Sequence, residues 1–103
     1  MTEKDQRKHD SDDVATTMAT LIAPLSSDQI EKLTIEAIHE HRTLLAKAEA
    51  AFESLESAEA AKAGTAGELR EAYTRTMLAA RAQQMVLATL VERLGFIPRV
   101  PSA

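Results

Sequence analysis

The segment Leu55-Glu56-Ser57-Ala58-Glu59-Ala60-Ala61-Lys62-Ala63-Gly64-Thr65-Ala66-Gly67-Glu68-Leu69 decides the fold. Long apolar stripes of helical period lie on both sides of it. Glu56 to Ala63 is alanine-rich and polar, so it favours helix by intrinsic propensity rather than by packing. Gly64 suits the left-handed position just past a helix end. Thr65-Ala66-Gly67-Glu68 has the Thr-x-x-Glu spacing of a capping box, so a second helix starts at once. A connection of only a few residues forces its two helices to run antiparallel as a hairpin.

Upstream, the first long helix is expected over 27–63. Ser26 and Gln29 have capping-box spacing, and Asp28 suits the positive end of the helix dipole. Its apolar stripe is Ile30, Leu33, Ala37, Ile38, His41, Leu44, Leu45, Ala48, Phe52 and Leu55. Downstream, the second long helix is expected over 66–94, with Leu69, Tyr73, Thr76, Met77, Ala80, Gln84, Leu87, Leu90, Val91 and Leu94 on one face. Gly95 stops it, Phe96 can pack back on Val91, and Pro98 forbids continuation. Val14, Met18, Leu21, Ile22 and Leu25 predict a short amphipathic helix over 14–23 that Pro24 ends. Residues 1–13 are almost wholly polar and are expected to be a disordered tail. The reading is all-α: one helical domain over 14–103, a long antiparallel two-helix hairpin with a short N-terminal helix, and a C-terminal tail over 95–103. The turn sets the start of the first long helix beside the end of the second.

A chain of 103 residues with no Trp, one Tyr and two Phe has little to build a core from. Dimerisation into a helical bundle is the expected remedy. The wheel agrees, because Leu78, Ala82 and Met85 form a second apolar seam opposite the main stripe of their helix, and Ile35 lies off the main face of its own. A second copy, the N-terminal helix or a different protein could cover that seam, and Ile35 is expected to be buried under the N-terminal helix or arm. The core and dimer surfaces are assigned to Leu33, Ile38, Leu45, Phe52, Leu55, Tyr73, Leu78, Met85, Leu87 and Leu94. Cysteine is absent, which excludes disulfide and thiolate chemistry. No apolar run is long enough to span a bilayer and the N-terminus lacks a signal-peptide core, so the chain reads as cytoplasmic and free of membrane. The net charge of −4 argues against direct nucleic-acid binding. Residues 14–65 carry eight acids and four bases, whereas 66–103 carry three acids and five bases, so an acidic helix pairs with a basic one.

Candidate chemistry is sparse. Glu36-Ala37-Ile38-His39 matches the Glu-x-x-His pattern of di-iron bundles, and Glu92 would lie near it in the hairpin. His39, however, falls opposite the apolar face and points to water. His41 is on the stripe and reads as a structural histidine bonded to a neighbour. No nucleophile, phosphate-loop or paired-carboxylate pattern is present. The chain reads as a non-enzyme with no metal, no cofactor and no small-molecule ligand. Glu36, Glu40 and Thr43 line an exposed acidic strip, which is either a solvated face or a partner surface. The tail Phe96-Ile97-Pro98-Arg99-Val100-Pro101 carries apolar residues past the last helix, stiffened by prolines. Phe96 and Ile97 can close the bundle end, while Arg99 and Val100 reach further out.

Two segments carry a resemblance. Leu33-Thr34-Ile35-Glu36-Ala37-Ile38-His39-Glu40-His41-Arg42 and Leu90-Val91-Glu92-Arg93-Leu94-Gly95-Phe96-Ile97-Pro98-Arg99-Val100 together resemble the TraM antiactivator family, over about Asp28 to Val100. That family is all-helical, with two long antiparallel helices per chain and homodimeric assembly. The resemblance implies binding to a LuxR-type quorum-sensing activator, the TraR-like protein, which is thereby kept from DNA so that plasmid conjugal transfer genes stay silent. From the acidic, exposed face of the first long helix beside the basic-tipped tail, partner contacts are expected at Ile35, Glu36, His39, Glu40, Ile97, Pro98, Arg99 and Val100. The alternatives are an adaptor bundle with another client, a ferritin-like metal bundle and a small DNA-binding repressor.

Overall fold

A computed structural model describes the backbone of residues 3–101 and the side chains of residues 13–101. The outermost residues of the two expected tails, 1–2 and 102–103, lie outside the described residues. Three helices follow in order: α1 (Glu3–Ile22), α2 (Ser27–Ala60) and α3 (Ala66–Leu94). The last two form the long hairpin, and α3 has the expected bounds. α1 starts at Glu3 rather than at residue 14, because Glu, Lys, Gln and Arg favour helix without needing an apolar stripe. None of the helices among the described residues is long and apolar enough to cross a membrane.

The helix ends have identifiable causes. Ser26 Oγ accepts from the Gln29 amide at 3.2 Å while Gln29 Oε1 accepts from the Ser26 amide at 2.9 Å, a closed capping box. At the far end of α2 the Ala63 amide donates to the Ala58 carbonyl (2.8 Å) and the Lys62 amide to that of Glu59 (3.1 Å). This is a Schellman motif. Its left-handed residue is Lys62, with φ 55°, and not Gly64 as the sequence suggests. The helix stops at Ala60, short of the expected 63, because the motif satisfies its last carbonyls there. α3 ends on Gly95, with φ 92° and its amide bonded to the Val91 carbonyl at 2.8 Å.

The chain divides into two compact units. The first holds the described residues of Met1–Ala37 and Met85–Ala103. Its core is Ile30, Ala37 and Leu90, with Ile22, Leu25, Leu33, Leu87 and Leu94 packed against it. Arg93 donates to the Leu25 carbonyl at 3.4 Å, tying the end of α3 to the turn between α1 and α2. The second unit is Ile38–Gln84. Ala48, Leu55, Ala58 and Ala80 are buried there, and the small residues let the helices approach closely. Phe52 and Tyr73 meet with ring centroids 5.5 Å apart, and Arg70 pairs with Glu59 at 3.2 Å.

Candidate functional site

The start of α2 carries the acidic end of the chain. Asp28, Glu31, Lys32, Ile35 and Glu36 line a shallow depression of about 410 Å³. Ile35 is half-buried in it, and Glu36 is exposed. His39 and Glu40 follow one turn along the same helix, both exposed. Among the described residues, none from α1 lines this depression with Ile35. The α1 residues Met18, Leu21 and Ile22 instead line an apolar groove of about 280 Å³ with Leu33, Val86, Thr89 and Leu90.

The tail after Gly95 runs extended, and extended backbone sends alternate side chains to opposite sides. Pro98 and Val100 are buried, whereas Ile97 (74% exposed) and Arg99 point outward. Pro98 and Val100, expected among the partner contacts, are thus anchors, and the outward pair is Ile97 and Arg99. Phe96 and Ile97, expected to close the bundle end, are both exposed. The sequence missed this because alternation is legible only once a segment is known to be extended and docked.

The seam opposite the main stripe of α3 is open: Leu78 is 66% exposed, and Ala82 and Met85 are exposed too. Of the expected core residues, Ile38 and Leu55 are buried, Leu33, Tyr73, Leu87 and Leu94 are half-buried, and Leu45 and Phe52 are exposed at the edge. His41 departs from expectation, since its Nδ1 is buried with no hydrogen-bond partner. Among the described residues no group of His, Asp and Glu could hold a metal ion, and the Glu36–His39 pair stands on an exposed helix face.

Acids, an apolar floor and an anchored tail make this a surface suited to binding. The comparison with known proteins gives it a context. The model of a family described as prokaryotic transcriptional repressor TraM matches residues 1–99. The chain belongs to the TraM family. Membership reaches further toward the N-terminus than the two motifs, which begin near Asp28. A transcriptional repressor TraM of Agrobacterium fabrum is 35% identical over 69 residues, covering 67% of this chain and 68% of the relative. A second, from Rhizobium radiobacter, is 34% identical over 76 residues, covering 74% of each. No solved structure gives a significant match. The TraM family is one of regulators, so this TraM-family chain is a regulator and not an enzyme.

Proposed function

We propose that this TraM-family chain is an antiactivator. It binds a LuxR-type quorum-sensing activator, the TraR-like protein, prevents that protein from holding its DNA site, and so represses plasmid conjugal transfer genes. Family membership over residues 1–99 is the observation that carries this reading. The acidic lining Asp28, Glu31 and Glu36 supports it, because a DNA-reading domain is basic and complementary charge speeds encounter. Ile35, Glu36, His39 and Glu40 on α2, with Ile97 and Arg99 on the tail, are the residues that meet the activator. Pro98 and Val100 act by holding the tail in place. The inhibitor works as a homodimer, since Leu45, Phe52 and Leu78 leave the second unit with uncovered apolar surface.

The test mixes the protein with ligand-loaded TraR-type activator already bound to its DNA site. Loss of the shifted DNA band, with a new protein–protein peak in size exclusion, is the expected result. An undisturbed DNA complex with no joint peak would replace the activator by another client.

A further inference from the structure

We propose that the groove between α1, the start of α2 and the end of α3 seats a basic amphipathic helix of the activator, with Leu21 as the contact at its lip. The inference rests on the antiactivator reading above and deepens it by naming the surface and the kind of element it takes. All the residues involved belong to the first unit. Val14, Met18 and Leu21 recur at spacings of four and three along α1, so they share one face of it. That face is largely uncovered. Leu21 is 72% and Val14 47% exposed, and Val86 across the groove on α3 is 37% exposed. Leu90 lies buried and Leu33 half-buried deeper in the same groove. A concave apolar surface with a leucine held out at its edge is a place where another molecule is gripped.

The walls restrict what can enter. Their hydroxyl, Thr89 Oγ1, already donates to the Met85 carbonyl at 3.0 Å. The wall backbone is helical and spends its amides and carbonyls on its own ladder. An extended peptide docked here would leave its backbone groups without partners. An α-helix arrives with those groups already paired. It also presents apolar side chains three and four residues apart, which suits a groove walled by Met, Leu, Ile and Val.

Charge selects which helix. Glu36 stands three residues after Leu33 and is therefore its neighbour on the surface of α2. It is exposed, and it lines the depression that also holds Asp28, Glu31 and Lys32, three carboxylates to one ammonium. The groove thus borders an acidic rim on its α2 side, and Asp13 stands exposed beside Val14 on α1. A helix with Lys or Arg next to its apolar stripe meets these carboxylates as the stripe enters the groove. A basic DNA-reading domain supplies helices of that composition.

The experiment is a gel shift with the full chain and ligand-loaded TraR-type activator on its DNA site, beside circular dichroism and thermal unfolding of each variant. Leu21→Asp and Val86→Asp are expected to keep the wild-type melting midpoint and to need about tenfold more protein to release the DNA. Leu21→Ile should inhibit as wild type does, and so should Thr20→Glu, whose charge lies off that face of α1. The loss in Leu21→Asp should be the same at low and physiological salt, whereas Glu36→Gln should flatten the salt dependence of inhibition. A benzophenone photo-crosslinker in place of Leu21 then reads the occupant directly, and decides the question should an Asp variant lose helicity. Mass spectrometry should find it joined to an activator helix with aliphatic residues three or four apart and Lys or Arg beside them. Attachment to a loop of the activator, to a second copy of this chain or to nothing would overturn the proposal. Full inhibition by both Asp variants would overturn it too, leaving antiactivation in place. A wild type that leaves the activator on its DNA would sink the antiactivator reading and this groove assignment together.

Discussion

Lys62 holds a backbone conformation that its side chain tolerates poorly, and nothing near it compels a lysine. Lys62→Gly is expected to raise stability by about 0.5–1 kcal/mol, read as a higher urea midpoint with unchanged slope. The reverse holds at Gly95, where φ 92° admits no ordinary side chain, and Gly95→Ala should lower stability by about 1–2 kcal/mol in the same assay. Sequence alone named Gly95 and misplaced the other stop. From Ala58 to Ala63 only Glu59 and Lys62 differ from alanine, so neither propensity nor bulk marks the last helical residue. The carbonyls that accept from Lys62 and Ala63 decide it. His41 was legible as an apolar-face residue. Its missing partner was not, because hydrogen bonding depends on which side chains from other helices reach it.

At the scale of elements, the closed box at Ser26 fixes where α2 begins. Ser26→Ala should cost about 1 kcal/mol in thermal or urea unfolding. That start was readable because a capping box is a local pattern of two residue types at one spacing. The bounds of α3 were readable for a similar reason, with a threonine before it and a glycine after it. The start of α1 was not, because a polar helix without apolar period leaves only weak propensity to read. The tail divides by alternation. Val100→Asp buries an unpaired carboxylate and should lower the melting midpoint by several degrees, while Ile97→Asp should leave it unchanged and still relieve inhibition in a gel shift. If Ile97→Asp inhibited as well as wild type, the outward face of the tail would have no part in recognition.

Across the whole chain, eight acids against four bases in residues 14–65 give α2 a sign opposite to that of a DNA-reading surface. Association with the activator should slow by about an order of magnitude as ionic strength rises from low to physiological, followed by stopped flow. Function was legible at this scale only through two short motifs at the ends of the hairpin, since composition and periodicity specify a bundle and are silent about its client. The turn between the helices has a practical side. Lys62, Gly64 and Thr65 are exposed, and a side chain added at Gly64 would meet nothing within 4 Å. A fluorophore or tether grafted at Gly64 would therefore report on or immobilise the protein through this turn without disturbing the buried Leu55, Ala58 and Ala80 of the second unit.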